Sequence, residues 1–134
     1  MKKICVSGYF IWLHSGHIEY FKKASKYGEV ICIVNNDIQQ KLKYGRIIVP
    51  LKERIEVLRA IKYITKVVPS IDKDRTVCKT LAKIKPDLFG KGGDRFSYEI
   101  PETPICNKLN IKIIDGLGKK IQSSSKLLET YETK

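Results

Sequence analysis

A chain of 134 residues can build one hydrophobic core but not two. Hydrophobic residues at 43% and charged residues at 30% give the balance of a globular protein, and no apolar stretch approaches the ~20 residues that span a bilayer. The formal net charge of +12 raises nucleic acid as a ligand. However, the lysines are spread along the chain, and no helix-turn-helix spacing, zinc finger or RNP-type aromatic stretch accompanies them, so the charge is read as a lysine-rich surface around a phosphate-attracting pocket.

In chain order, short runs rich in Ile and Val alternate with amphipathic segments, the pattern of βαβ units on a parallel sheet. The first strand is predicted over about residues 3–7, Lys3-Ile4-Cys5-Val6-Ser7. The chain therefore opens on a strand instead of the apolar core of a signal peptide, and a cytoplasmic location is expected. A helix over about 16–27 stops before Gly28, with Ile18, Phe21 and Ala24 as its buried stripe. The second strand, about 29–34, leads into a polar, basic stretch from Asn35 to Arg46 that reads as a mobile loop with room for one helical turn. Pro50 opens a helix over about 50–62 that places Leu51, Ile55, Leu58 and Ile61 on one face.

A third strand near 65–68 precedes a helix over about 73–84 carrying Val77, Leu81 and Ile84. A fourth strand near 86–90, a short helix around 102–109 and a fifth strand near 111–114 follow. Gly116-Leu117-Gly118-Lys119-Lys120 reads as a flexible approach, and a last helix begins near Ser124. No repeat or linker divides the chain, so one domain over 1–134 is expected. Its strands are apolar on both faces, which predicts a Rossmann-like three-layer α/β/α fold with a five-stranded parallel sheet. Cys5, Cys32, Cys78 and Cys106 lie far apart with no CxxC pair, so they are expected to be reduced and structural, and no protein-built metal site is expected.

The most informative motif follows the first strand. Both histidines of the chain fall in His14-Ser15-Gly16-His17, where the first strand's loop turns into a helix. A first helical turn carries unpaired N–H groups and the positive end of the helix dipole, which attract phosphate. Two imidazoles three residues apart can lie on one side of that turn and donate to the same anion, and Gly16 lets backbone approach the ligand. In a parallel α/β sheet, the loops at the strands' carboxyl ends share one crevice. Gly8–His17, Asn35–Asp37 and Lys91–Asp94 all follow predicted strands at that end.

The stretch Gly8-Tyr9-Phe10-Ile11-Trp12-Leu13-His14-Ser15-Gly16-His17 is similar to the signature of the HxGH nucleotidyltransferases, which include cytidylyltransferases and heptose-phosphate adenylyltransferases. The resemblance continues through Arg46 to Arg54, Lys91-Gly92-Gly93-Asp94 and Gln122-Ser123-Ser124-Ser125, so it covers essentially the whole chain in the family's order. It implies attack of an acceptor phosphate on the α-phosphate of a nucleoside triphosphate bound with Mg2+, releasing pyrophosphate. His14, His17, Lys43 and Arg54 take the catalytic positions, with His14 and His17 stabilising charge instead of abstracting a proton. Lys41 is the alternative to Lys43 as the lysine on the phosphates. Gly8, Tyr9, Phe10, Gly16, Gly92, Gly93, Asp94, Ser123, Ser124 and Ser125 fall at nucleotide-binding positions, with Lys120 or Lys119 in place of an arginine.

One departure is Ile11, where the family usually has Asp; beside it, Trp12 can wall the acceptor pocket. That loss makes a catalytically degenerate nucleotide-binding module the alternative of another class. The short chain looks like the glycerol-phosphate cytidylyltransferases, which favours CTP slightly, whereas Lys91–Asp94 and the Pro50–Arg54 helix start look like the ATP-using heptose-phosphate enzymes. The expected partners are the triphosphate and a small phosphorylated alcohol or sugar, with neither nucleic acid nor membrane. A homodimer is expected too, burying Trp12, Tyr20 and Tyr27 across a two-fold.

Overall fold

The structure, a computed structural model, describes residues 2–92 and 100–117. Its elements are β1 (Lys3–Gly8), α1 (Ser15–Ser25), β2 (Glu29–Val34), α2 (Asp37–Tyr44), α3 (Leu51–Arg59), β3 (Lys66–Pro69), α4 (Cys78–Ile84), β4 (Leu88–Gly92), α5 (Thr103–Lys108) and β5 (Lys112–Leu117). The five strands form one sheet in the order β3-β2-β1-β4-β5, and every pair is parallel. The chain builds outward from β1 to one edge, then returns to its other side through β4. That reversal opens a crevice at the carboxyl ends of β1 and β4.

The period of two along each strand sorts side chains into two apolar clusters, one on each face of the single sheet. Ile4, Val6, Val30, Cys32 and Val34 pack with Tyr20, Phe21 and Ala24 of α1 and Leu58 of α3. Cys5, Ile31, Ile33 and Phe89 face the other way, onto Val77, Leu81 and Cys106 beside and within α4 and α5. Helices thus cover both faces, giving the three-layer α/β/α arrangement. All four cysteines are free thiols. Among the described residues, no helix is long and apolar enough to cross a membrane.

Four local expectations change. In α1 the inward stripe is Gly16, Tyr20, Phe21 and Ala24, while Ile18 stays exposed. Tyr20 is buried in this core and donates from its hydroxyl to the Gly90 carbonyl at 2.5 Å, which removes it from any subunit interface. The Asn35–Arg46 stretch is a helix, not a loop. Asn36 caps it by accepting from Gln39 N–H at 3.0 Å, Gln39 returns the bond at 2.9 Å, and Gly45 closes it at φ 79°. That is the reciprocal capping box with a left-handed glycine stop. The helix predicted from Lys73 begins only at Cys78, because Asp72 and Asp74 accept backbone N–H bonds and hold the preceding residues in turns. Gly116 and Leu117, expected in a flexible approach, extend β5, with Leu117 buried. The helix expected near Ser124 lies outside the described residues.

Candidate active site

The turn from β1 into α1 is built by close packing. Gly8 has no Cβ, and one placed there would meet the Phe10 ring at 2.7 Å. Phe10 folds back with φ 51°, a left-handed conformation rare outside glycine, and is buried against His17 (5.4 Å) and Phe21 (5.3 Å). Phe10 therefore serves as the platform on which His17 rests. Ile11 is also buried, at 7% exposure, whereas Trp12 reaches 38%.

The two histidines cap their own helix. His14 Nδ1 accepts from Gly16 N–H at 3.1 Å, and His17 Nδ1 accepts from His14 N–H at 3.2 Å. A neutral imidazole that accepts at Nδ1 carries its proton on Nε2, so both rings are Nε2–H donors. The ring centroids lie 4.1 Å apart, and the ring planes are inclined by 35°. His14 Nε2 is shielded from water and has no hydrogen-bond partner among the described residues. Burial lowers the His14 pKa. Burial and then the His14 ring lower that of His17 to about 4. At neutral pH the turn therefore presents two uncharged donors at a helix N-terminus, one of them buried and unsatisfied, an arrangement matched to an anion's oxygens.

Arg54, expected at a catalytic position, is held within the fold. It is 2% exposed, and its guanidinium donates to the carbonyls of Val49 (Nε, 2.9 Å), Tyr9 (Nη1, 2.9 Å) and Asn35 (Nη1, 2.6 Å) and to Asp37 Oδ1 (Nη2, 2.8 Å). Four of its five donors thus bind the turn after β1, the end of β2, the start of α2 and the lead into α3. Gln40, fully buried beside it, donates to Val49 O and Asp37 Oδ1 and accepts from Ile48 and Val49 N–H. Gln39 and Gln40 went unnoticed in the sequence, because glutamines on a basic segment read as solvent-facing; the Asn36–Gln39 capping box was the available signal.

Lys43 comes to the crevice turn, with Nζ 4.5 Å from the Tyr9 ring centroid and 5.2 Å from that of Tyr44. Lys41 is exposed two positions earlier, a spacing that puts it on a different side of α2. Gly92 ends β4 beside Leu117, past an irregularity in the register at Gly90. Gly93, Asp94, Lys119, Lys120, Ser123, Ser124 and Ser125 lie outside the described residues. Among the described residues, no cluster of three or more His, Cys, Asp or Glu could hold a metal ion.

A parallel α/β sheet places ligands at the carboxyl ends of its strands where the strand order reverses, and the histidine pair lies in the turn that follows β1 at that point. The family model described as cytidylyltransferase-like matches residues 5–129, and the chain belongs to that family. It is 38% identical over 102 residues to the bifunctional protein HldE of Yersinia pestis (strain Pestoides F), which covers 74% of this chain and 21% of that protein. The chain thus spans about a fifth of the length of the curated relatives it matches. A lipopolysaccharide core biosynthesis protein from Thermoplasma volcanium GSS1 superposes with a TM-score of 0.73 at 25% identity, over 90% of this chain and 99% of that one. A universal stress protein from Archaeoglobus fulgidus shares the fold at a TM-score of 0.53 and 11% identity, over 86% and 93% of the two chains.

Proposed function

We propose that this domain is a nucleotidyltransferase that moves a nucleotidyl group from a nucleoside triphosphate to the phosphate of a small phosphorylated sugar or alcohol. The observation that carries the reading is the histidine pair, two Nε2–H donors at the start of α1 with His14 Nε2 buried and, among the described residues, unpartnered. An acceptor phosphate oxygen attacks the α-phosphorus, the bond to the bridging oxygen breaks, and pyrophosphate leaves. A phosphate monoester is already a nucleophile at neutral pH, so the domain's task is in-line positioning and stabilisation of charge on the phosphoryl oxygens. His14 and His17 donate to those oxygens, Lys43 adds a cation from α2, and Arg54 positions the surrounding turns.

Mg2+ is proposed to arrive on the triphosphate, since the described residues offer no cage for it and Mg2+ usually keeps phosphate oxygens and waters as ligands. The similarity to a lipopolysaccharide core biosynthesis protein favours a sugar phosphate as acceptor. For the donor base, the Lys91-Gly92-Gly93-Asp94 resemblance supports ATP, with CTP as the alternative. The test is pyrophosphate release with each triphosphate, Mg2+ and a panel of sugar and polyol phosphates. Release with one triphosphate and at least one acceptor supports the reading, and none from folded protein refutes it.

Ile11 favours a second reading, a nucleotide-binding module without turnover, because an aliphatic side chain cannot orient an acceptor or bind a cation. Under that reading the wild type binds triphosphate without releasing pyrophosphate, and Ile11→Asp restores release. A homodimer is also proposed, now without Tyr20, and sedimentation at tens of micromolar tests it: a single species of monomer mass ends that proposal.

A further inference from the structure

β1 pairs with β2 along its whole length, from Lys3–Glu29 to Gly8–Val34, but with β4 only at Ile4–Leu88 and Cys5–Phe89 among the described residues. Beyond Cys5 the two central strands part, and the split opens toward the crevice. The Tyr20 hydroxyl stands in that split. It accepts from the Ser7 N–H of β1 at 3.4 Å and donates to the Gly90 carbonyl of β4 at 2.5 Å. Burial holds the phenol well above its ordinary pKa, so the donated proton stays in place at neutral pH.

Both ends of this bridge are fixed. Tyr20 lies one helical turn beyond His17 on α1 and is buried, with its ring stacked on Phe21 (5.7 Å, 26°), which in turn meets the Phe10 ring that supports His17. At the other end, a Cβ on Gly90 would meet Leu117 Cδ1 at 2.5 Å and Ile4 Cδ1 at 3.2 Å, so β4 is closely packed just where its register to β5 shifts. On the opposite flank of the turn, Arg54 ties the Tyr9 carbonyl to that of Asn35 at the end of β2. The turn after β1 is thus secured toward β2 by a guanidinium and toward β4 by a phenol.

Resting on the nucleotidyl-transfer reading, we propose that Tyr20 is a positioning residue: its hydroxyl sets the separation between the histidine turn, which takes the phosphates, and the end of β4, which takes the nucleoside. One nucleotide then reaches both. A hydroxyl suits this role because it accepts and donates at once, holding two strands together at a fixed remove. Direct backbone pairing would draw them to about 4.8 Å and close the split.

The experiment compares a whole nucleotide with its parts. Wild type and Tyr20→Phe, which keeps the ring and removes the hydroxyl, are titrated by NMR with CTP or ATP, with the matching nucleoside, and with inorganic tripolyphosphate, all with Mg2+. Tyr20→Phe should bind the nucleoside and tripolyphosphate within twofold of wild type but the complete triphosphate at least fivefold more weakly, because the gain from linking the parts depends on the spacing of their sites. Its turnover should fall at least tenfold. Tyr27→Phe, which removes an exposed hydroxyl just beyond the same helix, should change none of these. If Tyr20→Phe is unstable, all proteins are compared in sucrose, which favours the folded state. An equal loss for the parts, a triphosphate affinity or turnover within twofold of wild type, or the same loss in Tyr27→Phe overturns the positioning role and leaves the nucleotidyl-transfer reading standing. Failure of wild type to bind triphosphate overturns that reading and the proposal with it.

Discussion

The turn from β1 into α1 and the junction of α2 with α3 both border the crevice, but they are built on opposite principles. The first is local: Gly8, Phe10, His14 and His17 fold one turn within ten residues, and its working atoms, the Nε2–H groups, point away from the protein's own hydrogen bonds. The second is long-range. Arg54 and Gln40 gather the turn after β1, the end of β2 and both ends of the α2–α3 connection, and nearly every polar atom they carry is used within the fold. One region keeps donors in reserve for a ligand, and the other uses them to hold the first in place. Loss of the first should therefore be felt in chemistry, and loss of the second in stability.

The sharpest way to break this division is Arg54→Ala. It leaves three carbonyls and the Asp37 carboxylate without their buried partner, and the expected cost is about 3–5 kcal/mol of unfolding free energy in urea titration. A loss under about 1 kcal/mol, within the range of an exposed ion pair, would show that the hub is not structural. His17→Ala should do the converse, with turnover falling about a hundredfold or more, the scale of losing one charge-stabilising donor. Its stability cost should stay near that of a weakened helix cap, about 1 kcal/mol. Equal damage to stability and turnover in both variants would erase the contrast.

Gln40→Ala sharpens it further. The N–H groups of Ile48 and Val49 lose their acceptor, which should cost about 1–3 kcal/mol, with turnover of the folded protein within threefold of wild type. The pH dependence is the mildest effect. His17 has a folded pKa of about 4 against an ordinary 6.5, so the unfolded chain binds more protons between those values. The stability this contributes is complete above about pH 6.5 and is lost as pH falls toward 4. In His17→Gln the part of the slope due to His17 should vanish, and an unchanged urea midpoint profile across that window would refute the assignment.

The two regions also differed in how legible they were. Strand positions came through because nearly continuous apolar runs cover both faces of a parallel sheet, and the histidine turn because its parts are neighbours in sequence. The junction was opaque for a physical reason. Nothing local distinguishes a glutamine that caps a distant loop from one that faces water, so Asn35–Arg46 read as a mobile segment. Arg54 was visible as a position but not as a role, since its partners Tyr9, Asn35 and Asp37 lie 17 or more residues away. Tyr20 misled similarly: the Gly90 carbonyl that takes its hydroxyl lies 70 residues off, and without that partner the ring looked available to a second subunit.

Because the chain has only two histidines, nitrogen-15 NMR of the imidazoles reads the site directly. At neutral pH both rings should be neutral Nε2–H tautomers. Addition of CTP or ATP with Mg2+ should shift both Nε2 signals and raise both pKa values, as a bound anion favours the imidazolium. Nδ1–H tautomers in the free protein, or Nε2 signals that stay put at saturating concentrations of either triphosphate, would contradict the claim that this pair receives the phosphates.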